Sequence, residues 1–220
     1  MTDFEALQKS ALASLKNPGA ATTPMPKSNH DEPPTLYLFR HCQTYDNVRR
    51  IFSGHRQSTL TPTGKKQAKE LAEKLKEKHI DLFISPSLER CIQTLEPIQK
   101  YHKQVPYIIK PELIERDYGD ITGKSKMTVM REHPKEAVLW RRSWNVPPPN
   151  GESLEQVWNR RMKSFCQWLQ KKMKEERINV AYSGTNNTVR LIRMYFEPLT
   201  RDETLTVENA YGDYASYHLT

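Results

Sequence analysis

The chain has 220 residues, of which 36% are apolar and 27% charged, with a formal net charge of +8 at pH 7; this suits one α/β domain with a tail. No stretch nears the ~18 consecutive apolar residues of a membrane span, and Asp3 and Glu5 precede any apolar run, so neither a membrane protein nor a secretory leader is expected. Three widely spaced cysteines, Cys42, Cys91 and Cys166, argue against a disulfide framework and for a reducing cytoplasm, and no His/Cys spacing suggests a metal.

In chain order, residues 1–16 carry an amphipathic helical pattern through Phe4, Leu7, Ala11, Leu12 and Leu15. The stretch from Asn17 to Pro34 holds five prolines and cannot be helical throughout. Residues 1–34 therefore read as a flexible extension, set apart from the catalytic residues, and residues 35–220 as the domain. Thr35 to Phe39 is a run of strand formers that ends at a polar Arg-His pair. Thr61 caps a helix with Ala68, Leu71, Ala72 and Leu75 on one face. Asp81 to Ser85 is a second strand, followed by a helix through Cys91, Leu95 and Ile98, and Tyr107 to Ile109 is a third. Ser153 and Gln156 form a capping box that opens a helix through Val157, Trp158, Phe165, Leu169 and Met173. Val180 to Tyr182 is a fourth strand, with a helix through Val189, Ile192 and Phe196 beyond it. Strands alternating with helices predict a mainly parallel sheet covered on both faces. Such sheets carry their sites at the carboxyl ends of strands, where Arg40-His41 and the Ser183 to Asn187 segment fall.

The positive charge does not read as a nucleic-acid surface. Much of it sits in mixed-sign helices such as Lys65 to Lys78 and Lys163 to Lys174, and no aromatic-basic motif accompanies it. A basic cleft for a small anion accounts for the same excess. By itself, Arg40-His41 reads as a surface pair or a capped strand terminus sooner than as a site.

The wider pattern decides between them. Leu38-Phe-Arg-His-Cys-Gln-Thr44, Asn47, Phe52-Ser-Gly54 and Leu60-Thr-Pro-Thr-Gly64 resemble, in order and spacing, the opening of the histidine phosphatase superfamily. Ser85-Pro-Ser-Leu-Glu-Arg90 is similar to its second segment. Glu115 to Lys126 and Arg141-Arg-Ser-Trp-Asn-Val-Pro-Pro-Pro149 resemble the third segment and the double-arginine, triple-proline segment of its cofactor-dependent phosphoglycerate mutases. The resemblance implies a three-layer α/β sandwich of the phosphoglycerate-mutase type. It makes His41 a phosphoryl carrier, Arg40 and Arg90 guanidinium clamps, and Glu115 the proton donor and acceptor. Asn47, Ser53 and Gly54 supply neutral donors, Arg141 and Arg142 take a carboxylate, and Tyr118, Lys126 and Asn187 complete the pocket. These roles suit the chemistry: a neutral imidazole attacks phosphorus while fixed cations hold the phosphoryl oxygens.

Implied, too, is a glycolytic isomerase reaction, the interconversion of 3- and 2-phosphoglycerate, primed by 2,3-bisphosphoglycerate and needing no metal. The family's second histidine stands five residues before an arginine; counting back from Arg190 puts Thr185 there, with Asn187 on the family's asparagine. Cys42 and Gln43 stand where the family has Gly and Glu. His55, beside Gly54, is a candidate replacement cation. A cysteine-phosphatase loop is excluded, because it needs arginine six positions after the cysteine and position 48 is Val48. Two alternatives stand beside the isomerase reaction: a phosphatase of small phosphate esters, in which water resolves the same phosphohistidine, and, motivated by Thr185 and the extension, a binding or regulatory relative of impaired activity. The expected partner is a small phosphorylated molecule rather than nucleic acid or membrane, with a homodimer left open.

Overall fold

The computed structural model describes residues 4–219; residues 1–3, where the expected first helix begins, and residue 220 lie outside it. After α1 (Phe4–Lys16) the chain enters β1 (Thr35–Arg40), then α2 (Tyr45–Val48), α3 (Pro62–Leu75), β2 (Leu82–Ser85), α4 (Glu89–Gln99) and β3 (Tyr107–Ile109). The second half runs through α5 (Lys126–Glu132), α6 (Glu136–Arg142), α7 (Leu154–Val157), α8 (Lys163–Glu176), β4 (Val180–Gly184), α9 (Asn186–Phe196), α10 (Arg201–Thr206) and β5 (Ala215–His218).

The strands form one sheet in the order β3-β2-β4-β1-β5. The four strands expected from the sequence are its parallel members; β5 adds an antiparallel edge that Ala215-Ser-Tyr-His218 does not announce by composition. All six residues of β1 are buried, because helices cover both faces and alternate side chains enter different cores. Tyr37 and Phe39 pack with Leu71 and Leu75 of α3 and Leu95 and Ile98 of α4. Leu36 and Leu38 pack with Phe165 and Leu169 of α8 and Val189 and Ile192 of α9. Each such side chain contributes about 1.5–3 kcal/mol by leaving water.

The caps lie where the sequence places them. Thr61 Oγ1 accepts from Gly64 N at the start of α3, and Ser153 and Gln156 close a reciprocal capping box on α7. The helix predicted beyond Ser153 is interrupted: a π turn over Trp158–Met162 separates α7 from α8.

The extension, set apart on sequence grounds, is docked. Leu7, Ala11 and Leu15 bury one stripe of α1, which packs on α6 and α10. Leu7 and Met25 join the larger core. Farther along, Gly19 O accepts from Tyr211 N at 3.1 Å and Pro26 O from Ser216 N at 2.9 Å. Among the described residues no helix is long and apolar enough to cross a membrane.

Candidate active site

The site forms where β1 and β4 end side by side. Their register pairs Arg40 with Gly184, and His41 N donates to Gly184 O at 2.8 Å. His41 then turns off the sheet with its Nδ1 2.8 Å from Cys42 O. A carbonyl can only accept, so Nδ1 bears the proton and Nε2 is left with its lone pair. Burial first, then Arg90 and Arg40, hold the imidazole pKa well below its ordinary 6.5, against the opposing pull of the Cys42 bond. His41 therefore presents a neutral imidazole at physiological pH.

Arginines crowd around it. Arg90, in the first turn of α4, is fully buried and donates through Nη1 to Arg56 O at 2.8 Å and through Nη2 to Gly54 O at 2.9 Å. Gly54 holds φ +50, a left-handed conformation that favours glycine. Arg40 lies over the Tyr211 ring, 4.6 Å from its centroid, with Nη1 3.9 Å from Glu208 Oε2. The Nε groups of Arg40 and Arg90 are buried without a hydrogen-bond partner among the described residues.

Glu115 lines the same cavity. Its Oε1 accepts from Arg116 N at 2.8 Å and from Asn187 Nδ2 at 3.1 Å, which leaves Oε2 for proton exchange. Asn187 is itself oriented by Arg190 Nη1, 3.1 Å from its Oδ1, and its Nδ2 reaches Tyr118 Oη at 3.2 Å. Asn47 Oδ1 is spent on Thr44 N in the cap of α2, so its amide nitrogen is the half left for a ligand.

Lys126, at the start of α5, sits 5.7 Å from the Phe52 ring centroid. Burial, with Arg141 and Arg40 next, pushes its pKa down to about 7. Glu208 shows the converse. Burial would raise its pKa, yet Arg190, Arg142 and Arg40 hold it well below the ordinary carboxylate range. Its Oε1 lies 2.5 Å from Arg142 Nη2 and 2.7 Å from Arg190 Nη2.

All the residues expected to act on a ligand line one cavity of about 90 Å³: His41, Arg40, Arg90, Glu115, Asn47, Ser53, Gly54, Tyr118, Lys126, Arg141, Arg142 and Asn187. Residues 36–216 match the family described as the histidine phosphatase superfamily, branch 1. The chain belongs to that superfamily. A 2,3-bisphosphoglycerate-dependent phosphoglycerate mutase of Cytophaga hutchinsonii is 32% identical over 181 residues, 81% of this chain and 84% of that one. The Nitrobacter winogradskyi protein of the same name is 35% identical over 190 residues, 84% and 91% of the two chains. Among solved structures, the α-ribazole phosphatase from Shigella flexneri superposes with a TM-score of 0.70 at 26% identity, covering 83% of this chain and 89% of that one.

Within this superfamily member, Thr185 stands apart from the residues above. It is fully buried as the N-cap of α9, its hydroxyl 3.0 Å from Thr188 Oγ1, and it does not line the cavity. His55 does not serve as a replacement cation there: its Nε2 donates to Glu115 O at 2.7 Å, and it too lies outside the lining. Burial pushes the Cys42 thiol up to about 11 and Cys91 up to about 12, so neither is a nucleophile. Sequence reasoning missed four wall residues from the extension, Ser14, Leu15, Pro18 and Gly19, and also Arg50, Arg190 and Glu208. Arg190 had a signal in its spacing from Thr185. Glu208 had none, because a lone acid after a short helix resembles any surface carboxylate.

Proposed function

We propose that the chain transfers phosphoryl groups through His41 and that its substrates are 3- and 2-phosphoglycerate. The observation carrying this reading is the charge around one small cavity. Seven cationic side chains, Arg40, Arg50, Arg90, Lys126, Arg141, Arg142 and Arg190, face it against two carboxylates, Glu115 and Glu208. That excess suits a ligand with a second anion besides its phosphate, and it agrees with the relatives named as mutases.

In the transfer, His41 Nε2 attacks phosphorus as the bond to the leaving oxygen breaks. Arg40 and Arg90 bind the phosphoryl oxygens, since both line the cavity and their planar forks match phosphate geometry. Glu115 gives its proton to the departing alkoxide and recovers one from the hydroxyl that next takes the phosphoryl group. The same cationic wall fits 2,3-bisphosphoglycerate, whose role when bound would be to supply the phosphoryl group that primes His41. Thr185 takes the place of the family's second histidine on this reading. A hydroxyl turned toward Thr188 supplies no positive charge to the transition state.

A second reading is a phosphatase in which water resolves phospho-His41. It is favoured by one observation: Arg141, expected to take a carboxylate, is engaged by Ala11 O and Ser14 Oγ. Product analysis separates the two. With 3-phosphoglycerate and bisphosphoglycerate, the mutase yields 2-phosphoglycerate without stoichiometric free phosphate, and His41→Ala yields neither. Free phosphate alone would establish the phosphatase, and no product above the His41→Ala blank would leave only the binding relative.

A further inference from the structure

The arginines at the mouth of the site already have acceptors, and those acceptors come from the chain's own extension. Arg141 Nη1 donates to Ala11 O at 3.0 Å and Nη2 to Ser14 Oγ at 2.8 Å. Arg50 Nε donates to Leu15 O at 2.9 Å, whereas Arg142 is held by Glu208 Oε1, 2.5 Å from its Nη2, with Ser10 O farther off at 3.5 Å. The acceptors on α1 belong to its last two turns, where the helix dipole presents negative charge, and Leu15 O is one of the terminal carbonyls with no intrahelical partner. The extension lies outside the segment that matches the family.

Two further observations tie this end of α1 to ligand space. Gly19, in the turn after α1, has φ +78, and an added Cβ would stand 2.0 Å from the Tyr211 ring on which Arg40 rests. Behind α1 lies a second cavity of about 630 Å³, which shares Ser14 and Glu208 with the active site. The helix end is thus a wall with the reactive pocket on one side and room to move on the other.

We propose that the C-terminal end of α1, with Ser14 as its key side chain, is a specificity-determining element that occupies Arg141 and Arg50 in the place of a ligand's second anionic group. A phosphate ester that carries a carboxylate must displace these acceptors to reach both guanidiniums; one that carries a neutral group there leaves them seated. The inference rests on the phosphate-ester reading of the site.

The test uses the full chain and two ligands that differ at one position. 3-Phosphoglycerate carries a carboxylate where glycerol 3-phosphate carries a hydroxymethyl group, and calorimetry on the unphosphorylated protein gives the ratio of their affinities. Ser14→Ala and Gly19→Ala, which loosen the acceptors, raise the ratio in favour of 3-phosphoglycerate at least threefold. Ser14→Asp, which places a fixed carboxylate on Arg141, lowers it at least tenfold. Hydrogen exchange on the wild-type protein provides a check that needs no variant: 3-phosphoglycerate speeds exchange of the amides of residues 10–16 and glycerol 3-phosphate does not. An unchanged ratio in folded variants, a ratio lowered by Ser14→Ala, or equal exchange with both ligands overturns the proposal while the phosphate-ester reading stands. Failure of both ligands to bind overturns that reading and this inference with it.

Discussion

His41 Nδ1 is held 2.8 Å from the carbonyl oxygen of its neighbour Cys42, and that single contact fixes which ring nitrogen is free to react. Because burial, Arg90 and Arg40 also hold the ring's pKa well below 6.5, the nucleophile stays deprotonated as pH falls through 6.5. Single-turnover phosphorylation of His41 is therefore expected to keep its rate between pH 7.5 and 6.5. A loss of half the rate at pH 6.5 would show an ordinary histidine instead.

Lys126 behaves in the opposite sense. With a pKa of about 7 it carries its charge below that pH and loses it above, so affinity for an anionic substrate falls as pH rises through 7. Lys126→Gln flattens this dependence. KM against pH for the two proteins checks it; parallel profiles would remove Lys126 from substrate binding.

The four parallel strands and the ligand-lining residues were legible in the sequence for different reasons. The strands announce themselves because their two-sided burial demands near-continuous apolar runs such as Leu36 to Phe39. His41, Arg90, Glu115 and Arg141 were legible only through the family resemblance, since no local pattern brings residues so far apart to one cavity. β5 was not legible, being four residues of mixed character whose partner is β1. Nor was the place of α1: its apolar stripe predicts burial, but the contact of Ser14 with Arg141 spans 127 positions. His55 misled because adjacency to Gly54 in sequence does not place a side chain in the same cavity.

Glu115→Gln tests the proton-transfer role. The amide keeps the acceptor that takes Arg116 N and Asn187 Nδ2 but cannot exchange a proton. Turnover is expected to fall about 10²–10⁴-fold, with kcat affected more than KM. An equal loss in both would assign Glu115 to substrate binding.

Thr185→His tests the proposal that Thr185 takes the place of the family's second histidine. The substitution forfeits the capping bond to Thr188, a cost of about 1 kcal/mol, while placing an imidazole one residue beyond Gly184, the partner of Arg40 in the sheet. Turnover is expected to rise on the order of 10²-fold, the usual worth of one preorganised donor. No gain in a folded variant would mean that the site does without this group.

Glu208→Gln leaves Arg142 and Arg190 buried without their counter-charge. Breaking such a pair from one side typically costs about 3–5 kcal/mol, so the melting temperature falls. Inorganic phosphate is expected to restore more stability to this variant than to the wild type, because it supplies the absent anion. Equal phosphate effects on both would place the arginines outside anion binding.

The central claim is that His41 carries the phosphoryl group, and the measurement nearest to it is the modification itself. The protein is mixed with radiolabelled 2,3-bisphosphoglycerate, quenched in alkali, and mapped by peptide. The account predicts acid-labile, alkali-stable label on the peptide containing His41 and none in His41→Ala. Label on another residue, or none on the wild-type protein at ligand concentrations that saturate binding, would contradict it.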